Sequence, residues 1–153
     1  MLSKPILIIT YYWPPSGGSG VQRWLYFSKY LKKLGYSPIV LTIDSESASY
    51  PSIDKSLVKE ADGIPVRYVK AFNWIKIYTT LKNNKDSNKI PQGEFLKKGF
   101  LDYFSGFIRG NFFIPDARVS WVKPATEMAL KIIKKNKIDK IITTGPPHST
   151  HLI

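Results

Sequence analysis

A glycine-rich segment near the N-terminus has the residue types that bind an anion. Residues 16–20 read Ser-Gly-Gly-Ser-Gly and lie between an apolar run, residues 5–10, and an amphipathic stretch that begins at Val21. Backbone N–H groups of a glycine turn and of a helix N-terminus attract phosphates and carboxylates. We therefore expect an anionic group to be held by Gly17, Gly18, Ser19, Gly20 and Arg23. The alternative is a tight strand-to-helix turn made by these glycines and the two prolines before them.

The glycine spacing leaves the ligand open. Gly18-Ser19-Gly20 begins like the G-x-G-x-x-G dinucleotide fingerprint, but Arg23 stands where the third glycine belongs. Asp44 follows the second predicted strand, roughly where an acid would bind a dinucleotide ribose. An NAD(P)-binding oxidoreductase domain is therefore one alternative. The Walker pattern of P-loop NTPases is absent, which argues against that class.

Two later loops also carry polar side chains suited to a ligand. Asp116 and Arg118 stand two residues apart beside a proline, and together they could clamp a polar ligand. The alternative is a helix-entry turn in which Asp116 is the cap and Arg118 forms a surface ion pair. The second loop follows an apolar strand and reads Thr144-Gly145-Pro146-Pro147-His148-Ser149. Hydroxyls and backbone donors of Thr144, Gly145 and Ser149 suit hydroxyl-rich or phosphorylated ligands.

The two histidines lie three residues apart, at 148 and 151. For His148 we favour contact with the ligand, and for His151 a structural role. Two histidines without an acidic partner do not make a zinc site, which needs three or four ligands, so no metal is expected. No organic cofactor is expected either.

Composition limits the class of protein. The chain has 153 residues, 43% hydrophobic and 22% charged, which is typical of one folded domain. The net charge of +12 favours phosphates or anionic lipid headgroups as partners. Because the basic residues are spread out rather than clustered, nucleic acid is not expected. The absence of cysteine, of a signal peptide and of a long apolar run is compatible with a cytoplasmic protein.

Strand and helix patterns alternate along most of the chain. Apolar runs at residues 6–9, 38–43, 66–69 and 139–143 predict buried strands. Helices are predicted at residues 21–34, with a buried stripe that includes Trp24 and Leu34, at residues 54–59, and from Pro124 onward. This rhythm predicts an α/β fold with a doubly wound, Rossmann-like parallel sheet.

The middle of the chain interrupts this rhythm. Residues 72–117 form an aromatic and basic helical insertion, which suits either an anionic membrane surface or ordinary cover for one sheet face. Residues 148–153 look like the start of another helix. A four-stranded sheet with an unfinished crossover covers its own face poorly, so residues 1–153 are expected to be a truncated domain of a longer protein.

Read together, these segments resemble the N-terminal half of glycosyltransferase family 4 enzymes of the GT-B fold. The resemblance is to a bacterial group that builds surface polysaccharides, and it covers essentially the whole chain. It is carried by the strand at residues 6–10 with Tyr12-Trp13-Pro14-Pro15 and the glycine segment, by Phe113-Ile114-Pro115-Asp116-Ala117-Arg118, and by residues 144–149.

The resemblance implies a retaining transfer of a sugar from a nucleotide-diphosphate sugar to a saccharide or lipid-linked acceptor, without an obligatory metal. In such enzymes two Rossmann-like domains face each other across a cleft. The glycine segment of this chain would face the donor phosphate. The acceptor and sugar side would be lined by Asp116, Arg118, Thr144, Gly145, His148 and Ser149.

One departure from the family limits what this chain does by itself. The donor-binding C-terminal domain, with its paired glutamates and its phosphate-holding Arg and Lys, is absent from these residues. Some relatives have a sugar-contacting histidine after the fourth strand, where Thr144 stands here. We therefore expect the main catalytic residues to lie in the missing domain and the fragment alone to be inactive. The expected localisation is cytoplasmic, with peripheral attachment at the inner face of the membrane. A non-catalytic module that binds anions or membranes is the third alternative.

Overall fold

The computed structural model describes residues 4–73 and 114–153 of the chain. Its strands and helices alternate along the sequence. The order is β1 (Lys4–Thr10), α1 (Ser19–Lys33), β2 (Tyr36–Ile43), α2 (Ser56–Glu60), β3 (Val66–Val69), α3 (Val122–Asn136) and β4 (Ile141–Thr144). Two short 3-10 helices, Val119–Trp121 and His148–Leu152, precede α3 and follow β4.

The four strands form one parallel sheet in the order β3-β2-β1-β4. From β1 the chain moves outward through β2 to β3, and then returns to place β4 on the other side of β1. The strand order therefore reverses between β1 and β4. In open parallel sheets, ligands bind outside the carboxyl ends of the strands at such a reversal.

Alternate residues of β1 belong to different cores. Leu7 and Ile9 pack in a cluster with α3, whereas Ile6 and Ile8 pack in a cluster with α1 and α2. Successive side chains of a strand point to opposite faces of the sheet, so these helices cover both faces. This explains why the strand reads as a continuous aliphatic run rather than an alternating one.

The alternating α/β pattern and the parallel sheet were predicted from the sequence and are confirmed. The helix stripe was wrong at Leu34, which is the exposed C-cap residue of α1; Gly35 follows it with φ +84° and allows the chain to leave the helix. Trp24 is only half-buried. Most of the predicted insertion, residues 74–113, lies outside the described residues.

A group of aromatic rings fills the core just beyond the end of β1. The Tyr11 ring makes edge-to-face contacts with Trp121 and Tyr50, at centroid distances of 5.3 and 6.4 Å. The Tyr11 hydroxyl accepts a hydrogen bond from the Ser49 N–H at 3.2 Å. Burial raises the pKa of both tyrosines above the ordinary value, mainly through desolvation of the phenolate.

This burial predicts loss of stability at alkaline pH. An unfolded tyrosine loses its proton near pH 10, while folded Tyr50 holds it to higher pH, so the free energy of unfolding should fall as pH rises above about 10. Tyr50→Phe should make that fall shallower. Its cost at neutral pH should stay within about 1 kcal/mol, because the hydroxyl makes only a 3.5 Å contact with the Ile43 carbonyl.

Urea unfolding across the alkaline range, followed by circular dichroism, measures this effect. Tyr26→Phe is the control, because Tyr26 is exposed on α1 and its loss should leave the slope unchanged. Equal slopes for Tyr50→Phe and the unsubstituted chain would contradict the assignment.

Candidate functional site

A cleft lies where the strand order reverses, at the carboxyl ends of β1 and β4. Its volume is about 510 Å³. One wall is the segment after β1 with the first turns of α1, and the other is the start of the loop after β4. The lining residues are Thr10, Tyr12, residues 17–21, Arg23, Trp24, Pro51 and residues 144–146.

The glycine segment is attached to the chain between β2 and α2. The Gly17 N–H donates to the Ser52 carbonyl at 3.0 Å, and the Asp54 N–H donates to the Pro15 carbonyl at 2.8 Å. A Cβ on Gly17 would lie 2.9 Å from Ser52 Oγ and 3.2 Å from Asp54 Cβ. Gly17 is therefore required by close packing, and its N–H is already used.

The backbone N–H groups of the next three residues, Gly18, Ser19 and Gly20, lie at the N-terminus of α1. Gly18, with φ +106°, is the N-cap and provides no side-chain cap. Its carbonyl accepts from Val21 and Gln22. Within the described ranges, the N–H groups of Gly18, Ser19 and Gly20 donate no hydrogen bond. These donors and the positive end of the helix dipole make this wall of the cleft suited to an anion.

Two threonines connect the ends of β1 and β4. Thr10 and Thr144 pair in register, and the Thr144 hydroxyl donates to Thr10 Oγ1 at 3.1 Å. Thr10 in turn donates to the Tyr12 carbonyl at 3.2 Å. Both threonines are buried. This chain of hydrogen bonds fixes the spacing between the two walls, and both threonines line the cleft.

Asp116 holds the loop after β4 in place. Its carboxylate accepts from the Ser149 N–H at 2.8 Å and from the Ser149 hydroxyl at 3.0 Å. It also accepts from the Arg118 N–H at 2.9 Å. The turn interpretation of Asp116 therefore holds in part: its carboxylate bonds the Arg118 N–H within its own turn, but it also bonds Ser149 in the distant 3-10 helix after β4, and Arg118 lies over tyrosine rings rather than in a surface pair. Neither Asp116 nor Ser149 lines the cleft.

Arg118 lies behind the cleft wall rather than in it. Its guanidinium carbon is 5.4 and 5.7 Å from the ring centroids of Tyr11 and Tyr12, which is cation–π distance. In residues 4–73 and 114–153, its Nε is buried without a hydrogen-bond partner. Of these three residues, Tyr12 lines the cleft. Burial raises the Tyr12 pKa, and the neighbouring Arg118 charge opposes that rise.

The remaining predicted site residues are divided. Arg23 lines the cleft, with its guanidinium 5.8 Å from the Trp24 ring centroid. His148 is exposed and does not line the cleft. His151 bonds Thr143 Oγ1 through Nδ1 at 2.8 Å, and its Nε2 lies 2.8 Å from where a Cβ on Gly145 would be. His151 thus has a structural contact, as its position in the sequence suggested.

Six lining residues were not predicted as site residues: Thr10, Tyr12, Val21, Trp24, Pro51 and Pro146. Tyr12 has a sequence signal, because it comes directly after the end of β1. Trp24 fits helical periodicity and reads as core. Pro51 follows β2 by eight residues, and no local pattern connects it to the cleft.

The chain matches no protein-family model, no curated protein and no solved structure. In the described part of the chain, no three His, Cys, Asp or Glu residues are grouped to hold a metal ion. Among the helices of that part, none combines the length and apolar character needed to cross a bilayer.

The glycine segment predicts opposite effects for two similar substitutions. Gly17→Ala should lower the free energy of unfolding by about 1–3 kcal/mol, because the new Cβ overlaps Ser52 and Asp54. Gly20→Ala should raise it by about 0.5 kcal/mol, because nothing lies within 4 Å of the new Cβ and alanine favours a helix. Chemical denaturation of both variants measures the difference. Equal effects would contradict this division of roles.

The Asp116 bonds predict an unequal pair of losses. Asp116→Ala removes acceptors from three donors and should cost about 2–3 kcal/mol, whereas Ser149→Ala removes one hydroxyl and should cost about 1 kcal/mol. Hydrogen exchange of the Ser149 amide should quicken in the first variant and change little in the second. A slow Ser149 amide in Asp116→Ala would show that the carboxylate does not hold this loop.

Proposed function

We propose that the chain is the acceptor-side domain of a retaining glycosyltransferase, built as the N-terminal, doubly wound half of a GT-B enzyme. The observation that carries the proposal is the cleft at the strand-order reversal. Backbone N–H groups without a hydrogen-bond partner in the described part of the chain line one of its walls, and the loop after β4 forms the other. The donor would be a nucleotide-diphosphate sugar, and the acceptor a saccharide or lipid-linked sugar at the cytoplasmic face of a membrane.

The chemistry of sugar transfer gives the glycine wall a role. As the glycosidic bond to the donor breaks, negative charge grows on the leaving diphosphate. N–H groups already aimed at that charge lower the barrier without needing to reorganise. Gly18, Ser19 and Gly20 offer such donors, and Arg23 adds a cation at the same wall. Gly17 supports this wall by packing rather than by binding.

The loop after β4 would then serve the sugar and acceptor side. Gly145 and Pro146 line the cleft there, and Asp116 fixes the loop through Ser149. Arg118 would act on the site through the Tyr12 ring rather than by direct contact. The donor base, and the residues that carry the chemistry, would be held by a second domain.

No observation favours the dinucleotide alternative. Asp44, the residue it needs beside the ribose, does not line the cleft. Its carboxylate accepts a hydrogen bond from the Glu46 N–H at 3.0 Å.

Titration of the 153-residue chain with UDP, GDP and pyrophosphate, followed by amide NMR, tests the anion wall. Binding should be weak, with shifts concentrated at Gly18, Ser19 and Gly20, and uridine without phosphate should cause none. Arg23→Gln should weaken binding about fivefold. Arg67→Gln removes the same charge from exposed β3, away from the cleft, and should leave binding unchanged.

Three results would contradict the proposal. Chemical-shift changes spread over the basic surface, without a maximum at the start of α1, would show that the glycine segment is not an anion-binding site. Robust sugar transfer by the chain alone would show that no second domain is needed. A coding sequence that stops directly after the Ile153 codon would leave no place for the donor-binding domain.

A further inference from the structure

The outer face of α1 carries aromatic side chains where a surface helix normally carries charged ones. The inner face is buried through Val21, Leu25, Ser28 and Leu31. On the opposite side, Phe27 is 42% exposed, Tyr30 59% and Leu34 73%. We call this surface the α1 outer face; it consists of Arg23, Tyr26, Phe27, Tyr30, Lys33 and Leu34.

These side chains form a continuous stripe. Residues 23, 27, 30 and 34 follow the spacing of neighbouring helical turns, so they cover about 16 Å of one side of the helix. The Trp24 ring joins them through an edge-to-face contact with Phe27 at 5.4 Å. Large apolar side chains grouped on an exposed helix face mark a surface that another molecule covers, and no residue in 4–73 or 114–153 covers these.

The charge of α1 has a single sign. The helix contains Arg23, Lys29, Lys32 and Lys33 and no acidic residue. Lys29 is paired with Glu60, and Lys32 donates to the Gly63 carbonyl at 2.8 Å, so these two are bound to the α2 side.

The other two cations belong to the outer face. Lys33 Nζ lies 5.0 Å from the Tyr30 ring centroid, and the Arg23 guanidinium lies over Trp24. Neither has a carboxylate within ion-pair distance in residues 4–73 and 114–153. Positive charges therefore lie along the aromatic stripe with no ion-pair partner among the described residues.

We propose that the α1 outer face docks on an anionic lipid surface, with the helix lying parallel to the membrane plane. Tyrosine and tryptophan favour the interfacial layer of a bilayer, and lysine and arginine neutralise anionic headgroups while their stems cover apolar surface. The charge argues against a second copy as the occupant, since two chains of +12 repel one another. This inference does not depend on sugar transfer, and it selects a surface other than residues 72–117.

Co-sedimentation of the 153-residue chain with phosphatidylcholine vesicles, with and without phosphatidylserine, tests the proposal. The chain should pellet with the anionic vesicles only, and added salt should release it. Phe27→Ser combined with Leu34→Ser should lower the partition coefficient at least about tenfold. Lys33→Gln should lower it about fivefold. Because these side chains are exposed, thermal unfolding should remain close to that of the unsubstituted chain.

Matched controls come from α3, on the other face of the sheet. Leu130→Ser removes a half-exposed leucine, and Lys134→Gln removes the same charge as Lys33→Gln. Neither should change the partition coefficient. If Lys33→Gln and Lys134→Gln lower the partition coefficient equally, net charge alone explains the binding and the proposal is overturned.

Two further outcomes would also overturn it. If Phe107→Ser with Phe112→Ser abolishes pelleting while Phe27→Ser with Leu34→Ser does not, another part of the chain is the anchor. If no vesicle pellets the chain but light scattering shows a dimer that Tyr30→Ser disrupts, the face binds protein. Retention of vesicle binding by Phe27→Ser with Leu34→Ser is enough on its own to reject the α1 outer face.

Discussion

The central position of β1 is the constraint on which the rest of this structure depends. The strand has a parallel neighbour on each side and a helical layer on each face, so Leu7 and Ile8 are completely buried. Both walls of the cleft are set by its carboxyl end: one is the segment that continues from it, and the other is the loop of the strand paired with it. The Thr10–Thr144 hydrogen bond sits at that junction. Because all its surroundings are packed, the end of β1 is a fixed point from which less regular backbone can extend.

The cleft combines a wall whose polar groups are mainly backbone N–H donors with one that is held by side chains. On the α1 side, close packing at Gly17 and positive φ at Gly18 set the path of the chain, and three N–H groups donate no hydrogen bond to residues 4–73 and 114–153. On the β4 side, the Asp116 carboxylate fixes Ser149 across 33 residues of sequence. Preorganisation of this kind matters because an anion held by fixed dipoles requires no rearrangement when its charge grows. Asp116, which looks ligand-like in the sequence, does not line the cleft and fixes the loop after β4, whereas Thr144 both lines the cleft and bonds Thr10.

The fold was more predictable from the sequence than the site. Uninterrupted aliphatic runs such as residues 6–9 predict strands buried on both faces, and the alternation with helical stripes predicts a parallel sheet. The position of the glycine segment at the sheet edge could also be predicted, since strand, glycines and helix are adjacent in sequence. A local sequence pattern does not show which distant residue each polar side chain contacts. Asp116 bonds Ser149, and Arg118 stacks on Tyr12, because the fold brings distant segments together. The same limit applies to Leu34. Its spacing matches the buried stripe of α1, but the helix ends at Lys33 and Leu34 is exposed as the C-cap residue.

Under the two proposals, the cations of α1 serve two separate tasks. Arg23 lies at the cleft and also begins the α1 outer face, so one helix presents its N-terminal dipole to the cleft and its flank to the surroundings. The N–H groups of the first turn are short-range donors that act only on a group touching them. Lysines farther along act over a Debye length and need no fixed geometry. Backbone donors therefore suit a small anion in a defined pose, while Lys33 and the aromatic rings of the α1 outer face suit an extended anionic surface. Both lie on a single rigid helix, so an anion in the cleft would be held at a fixed distance from whatever surface α1 contacts.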